Sequence, residues 1–159
     1  MDAVIHSKRR QGPAPTDSPR SVVCCWREAL SLGVPVIDQD HRRLIDLLNR
    51  LRLTGGGNDN EAAIGAVIVD LETHVQEHFQ KEEMLMRLCG YPAYQEHCRM
   101  HRALTARVAD FGARFRKDPA QFHRDALSEF LVHCVMVHTA REDVKVQPYF
   151  DVLGRRQAA

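Results

Sequence analysis

Seven side chains in this sequence have metal-binding chemistry and a spacing that lets them act together: His41, His78, Glu82, His97, His101, His138 and Asp143. His78 and Glu82 stand four residues apart, as do His97 and His101, so each pair projects from one face of a helix. Burying several imidazoles and a carboxylate is costly unless something bonds them, and metal coordination is the compensation that suits neutral histidine. Nitrogen and oxygen donors without thiolate point to iron, with manganese and zinc as weaker candidates. His138 and Asp143 are five apart, which does not stack in a regular α-helix. The chain is therefore expected to loosen or turn between Thr139 and Glu142. Any one of these histidines, taken alone, reads more readily as an ordinary core or surface residue, and only the joint pattern argues for a site. His6, His123 and His133 fall outside the pattern and read as solvated. His74 lies one turn before His78 and reads first as a hydrogen-bonded core histidine, second as a partner of the site.

Positioning these donors requires helices, and the apolar spacing supplies four. Leu44, Leu48 and Leu51 form one stripe, with Asp38 placed to cap the start and Thr54 to Gly57 ending the segment. A capping pattern at Asn58 to Glu61 precedes Ile64, Val67, Ile68, Leu71 and Val75, and Gly90 is the stop of this second helix. Pro92 reads as a first-turn proline before His97, His101, Leu104, Val108, Phe111 and Phe115. Asp118, Pro119 and Gln121 combine a cap, a first-turn proline and a capping-box residue ahead of Leu127, Phe130, Leu131, Cys134 and His138. The expected fold is all-α, an up-and-down antiparallel four-helix bundle. Donors that alternate between the start and finish of successive antiparallel helices come to nearly the same height, so a shared site is geometrically natural.

The bulk properties limit the other options. A chain of 159 residues, 44% hydrophobic and 27% charged, has room for one domain. The sequence divides into a disordered leader over 1–21, rich in proline, a domain over 22–153 and a tail over 154–159. With 22 Lys and Arg against 21 Asp and Glu, the net charge of +1 gives no field for nucleic acid or acidic membranes. No apolar run approaches the ~18 residues of a membrane span. The five cysteines form no C-x-x-C pair and no secretory signal precedes them, so the expected location is a reducing cytoplasm.

The chain resembles the hemerythrin family, and in particular its single-domain bacterial members. The residues that carry the likeness are Trp26 through Gly33-Val34, Ile37-Asp38-Gln39-Asp40-His41, His78 through Met84, Gly90-Tyr91-Pro92, His97-x-x-x-His101 and His138-x-x-x-x-Asp143. The resemblance implies a non-haem di-iron centre that binds dioxygen reversibly. His97, His101 and His138 would hold one iron, His41 and His78 the other, and Glu82 and Asp143 would bridge them. It also implies an apolar oxygen pocket with Phe79 in its wall. Where the family commonly has Trp four residues before the last histidine this chain has Cys134, and where Ile commonly follows that histidine it has Thr139, which implies a roomier, wetter pocket. The expected role is oxygen carriage, storage or delivery to an oxygen-using enzyme, not catalysis. An oxygen or redox sensor and a di-iron enzyme reducing nitric oxide or peroxide are the alternatives. Ferritin-like oxidases use Glu-x-x-His, which this chain lacks.

Overall fold

The computed structural model describes residues 24–54 and 59–157, and all the elements in them are helical. Helix α1 spans Pro35–Leu53, α2 Asp59–Cys89, α3 Tyr94–Lys117 and α4 Arg124–His133. A π-helical segment, Cys134–Glu142, continues α4; a short 3-10 turn, Asp143–Lys145, leads into α5, Gln147–Gln157. Among the described residues no helix is long and apolar enough to cross a membrane.

Local chemistry sets the helix ends, and three of them differ from the sequence expectation. Helix α1 starts at Pro35, because a proline at the first helical position gives up an N–H that had no partner anyway. Asp38 therefore sits inside the first turn. Its carboxylate accepts the Leu32 N–H at 2.7 Å and the Ser31 hydroxyl at 2.6 Å, tying the lead-in loop to the helix instead of capping it. Pro92 lies in the turn before α3, not within it, since the chain must first reverse after α2. Asp118 does cap, accepting the Gln121 N–H at 3.3 Å, but what it caps is a separate 3-10 turn over Pro119–Gln121. The expected stop at Gly90 is present: with φ 70° it lets the Tyr91 N–H reach the Met86 carbonyl at 2.9 Å, which closes the last turn of α2. Asn58 lies outside the described residues.

The bundle wraps in the order α3, α2, α1, α4: α2 packs on α3 and on α1, and α1 packs on α4, while α3 and α4 meet through Phe111 and Phe130 beside a groove. Its main core joins Leu48, Leu51, Leu71, Leu127 and Leu131 with their neighbours. A second apolar cluster, Leu32, Ile37, Met86, Tyr91, Val146 and Phe150, closes the other end. Burying one such side chain stabilises the fold by about 1.5–3 kcal/mol. Helix α5, which the sequence reading did not distinguish, supplies Phe150 to the second cluster and lies against α2. The seven donors sit between the two clusters, where water is excluded from both sides.

Candidate metal centre

All seven side chains converge, from α1, α2, α3 and the segment after α4, and all are buried, with Glu82 and Asp143 fully so. The five-residue interval between His138 and Asp143 is resolved by the π segment. A π-helix bonds i to i+5, and the Asp143 N–H donates to the His138 carbonyl. In a regular α-helix Asp143 would be rotated about 140° away from His138. Cys134 and Thr139 are likewise five apart, and both face the cavity described below.

Asp143 is the hub. One of its oxygens lies 3.2 Å from His97 Nε2 and 3.2 Å from His138 Nε2, and the other lies 3.3 Å from His41 Nε2. A Glu82 oxygen lies 3.3 Å from His101 Nε2, 3.8 Å from His78 Nε2 and 3.9 Å from His97 Nε2. These donor atoms fall into two sets, each within 4.8 Å: Glu82, His97, His101, His138 and Asp143; and His41, His78 and Asp143. Both oxygens of both carboxylates, and Nε2 of His41, His97, His101 and His138, are buried without a hydrogen-bond partner. Each such orphan costs about 1–3 kcal/mol. Donor atoms each roughly 2.1 Å from one cation stand about 3 Å apart, so the observed separations suit shared ions far better than they suit direct hydrogen bonds. The donor set therefore fits a pair of metal ions.

Two carboxylates behind the cluster carried no role in the sequence reading. The Glu83 carboxylate accepts from His101 Nδ1 at 3.0 Å, which turns Nε2 of that ring inward. Asp40 faces His78 Nδ1 at 3.6 Å and is held by Lys81 Nζ at 2.9 Å. Each is the immediate neighbour of a donor, Glu83 of Glu82 and Asp40 of His41. Adjacent helical residues point about 100° apart, so one turns into the cluster while the other reaches a histidine on the next helix.

Burial opposes charge throughout the cluster, but the carboxylates reverse it for two imidazoles: Asp143, with Glu82, holds His41 and His97 above the usual histidine range. Burial and the neighbouring Asp143 push Glu82 up to about 7. Burial would also raise Asp143, yet the His41 and His97 imidazoles beside it outweigh burial and hold that carboxyl well below the ordinary range. Burial brings His101 and His138 down to about 4. In the metal-free chain His41 and His97 thus hold a proton to higher pH than an ordinary imidazole does, and Glu82 is part-protonated near neutral pH. Ligation must expel the protons these groups hold, so metal uptake is expected to release protons and to weaken as pH falls through 7. Metal titration in weakly buffered solution at pH 6, 7 and 8 reads this directly; uptake independent of pH over that range is the contrary result.

Beside the cluster lies a cavity of about 20 Å³, lined by Phe79, Cys134 and Thr139 together with His74, His78, His138 and aliphatic residues of the main core. That is room for one water or a diatomic molecule. Phe79 stacks on His101 with ring centroids 3.9 Å apart. Burial pushes the Cys134 thiol up to about 12, so it stays protonated and fills space. His74 stacks in parallel on His78 at 5.6 Å, with its Nε2 buried and unpartnered, and burial takes it down to about 4. It is therefore a neutral packing partner of His78; its Nε2 lacks the hydrogen bond expected of a satisfied core histidine. His123 and His133 are exposed, and His6 lies outside the described residues.

Residues 32–150 match the hemerythrin HHE cation binding domain. A bacteriohemerythrin of Stenotrophomonas maltophilia (strain R551-3) is 38% identical over 108 residues, 67% of this chain and 70% of that protein. A bacteriohemerythrin of Pseudomonas aeruginosa (strain LESB58) is 34% identical over 91 residues, 57% of this chain and 59% of that protein. In a solved structure of a hemerythrin with one leucine replaced by tyrosine, 98% of the chain aligns with 82% of this one at a TM-score of 0.73 and 25% identity. The family model covers most of the chain, and the relatives and the fold agree with it: this chain belongs to the hemerythrin family.

Proposed function

We propose that this protein binds dioxygen reversibly at two non-haem iron ions and serves to carry, store or deliver it without turnover. In this reading His97, His101 and His138 hold one iron, His41 and His78 hold the other, and Glu82 and Asp143 lie between them. The iron pair, when bound, supplies the electrons and the open coordination position that oxygen requires. The observation that carries the proposal is the small cavity against His78 and His138, walled by Phe79 and the main core, which gives a diatomic molecule a dry place beside the ions.

The chain's own residues would do the rest. Glu83 and Asp40 orient His101 and His78. Phe79 fixes the His101 ring and keeps water from the cavity side. Neither His74, at about 4, nor the Cys134 thiol, at about 12, is poised to exchange a proton near neutral pH, which favours holding the ligand over converting it.

Anaerobic reconstitution with ferrous iron, an iron count and visible spectra before and after air test this reading. About two irons per chain and an oxygen-dependent band that reverses under argon are expected. Material that stays colourless in air, or that consumes oxygen continuously, overturns it. Removing polarity at Cys134 and Thr139 without filling the cavity should slow irreversible oxidation of the centre: the double variant Cys134→Ala with Thr139→Val is expected to lengthen the lifetime of the oxygenated form severalfold. The decay of the visible band in air measures it, and an unchanged lifetime would contradict the assigned role of these two positions.

A further inference from the structure

Of the residues that line the cavity, all are buried except Leu104 on α3 and Phe130 on α4, which are only partly covered. The same two side chains also form the floor of a surface groove of about 500 Å³ between α3 and α4. The groove runs beside the contact between Phe111 of α3 and Phe130 of α4, whose ring centroids stand 5.4 Å apart. On every other side the cavity is backed by close-packed core, including Leu71, Val108 and Leu131, which are at most 2% exposed.

We propose that the α3–α4 groove is the access route to the metal-side cavity, and that Leu104 and Phe130 are its gate. The inference rests on the proposed function, in which the cavity receives the ligand. Partly exposed side chains change rotamer in picoseconds to nanoseconds, whereas a path through the core would have to open close-packed layers. The gate also selects by chemistry. An ion must shed its hydration to pass a leucine and a phenylalanine, while an uncharged diatomic sheds almost nothing. The rim of the groove reinforces this, because it mixes signs: Arg107 and Arg114 against Asp110 and Glu129, with Arg114 paired to Asp110 at 2.9 Å. Such a rim concentrates neither anions nor cations. The class of molecule admitted is therefore the neutral diatomic gas.

Stopped-flow oxygen binding to the iron-loaded chain, comparing Leu104→Trp, Leu104→Ala and Phe130→Ala, tests the gate. Leu104→Trp is expected to slow association and release together by about tenfold, and the two alanine variants to speed both by a similar factor. Association rates that are unmoved in the alanine variants overturn the proposal, as does a change confined to release. Exchange of dissolved xenon with the cavity, followed by xenon NMR on the same proteins, separates this inference from the proposed function. If the chain takes up no oxygen but xenon exchange follows the same order, the route stands and the carrier reading falls. If xenon exchange is identical in all four proteins, the route falls.

Discussion

Replacing Asp143 with alanine is expected to reduce the metal content from roughly two ions per chain to one or none and to abolish any oxygen-dependent visible band. The argument is positional. Asp143 alone belongs to both sets of converging donors, and its two oxygens lie 3.2–3.3 Å from histidines on α1, on α3 and on the π segment. Without it, His41 and His78 retain only Glu82, whose nearest approach to His78 is 3.8 Å. The metal-free chain should suffer as well. The charge that holds His41 and His97 above their usual range disappears, and breaking a buried ion pair by removing one partner costs about 3–5 kcal/mol. Metal analysis after reconstitution, together with urea denaturation of the metal-free form, measures both effects. His133→Ala, which alters an exposed imidazole outside the cluster, is the control that should keep the full complement. A full complement in Asp143→Ala would remove the residue from the centre of the site.

The parts of this site that could be read from the sequence are those governed by helix periodicity alone. His78 with Glu82, and His97 with His101, share a face in any regular helix, and antiparallel packing brings those faces to one level. The interval from His138 to Asp143 was legible as an anomaly, and the π segment is its physical resolution. What periodicity cannot give is the rotation of one helix against another. Asp40 and Glu83 act on histidines of neighbouring helices, so their roles emerge only once α1, α2 and α3 are placed. Helix starts were misjudged where two local signals compete, Pro35 against Asp38 and Asp118 against His123, because capping side chains can equally serve the loop beside them. Helix α5 has no counterpart in the sequence expectation because Gln147–Gln157 is short, and its first-turn Pro148 is compatible with a helix without announcing one.

That overlooked helix is the basis of the second large expectation: Phe150→Ala should destabilise the protein by about 3–5 kcal/mol, the usual cost of emptying a buried aromatic site. Phe150 is 4% exposed and packs with Leu32, Ile37, Met86, Tyr91 and Val146, the cluster that closes the end of the bundle beyond the metal-binding residues. Domains of this size have a total stability of about 5–15 kcal/mol, so the loss is a third or more of what is available in many cases. The damage should also reach the site. Tyr91, a neighbour in that cluster, meets the His97 ring edge-on at 6.2 Å, so a cavity behind it opens a path for water to the buried donors. Leu88→Ala, at a position 63% exposed on α2, should stay within about 0.5 kcal/mol of the parent. Denaturation midpoints for the three proteins, metal-free and loaded, give the comparison. A Phe150→Ala protein as stable as Leu88→Ala would mean that α5 does not close the bundle, and that the exclusion of water from this end of the centre has another source.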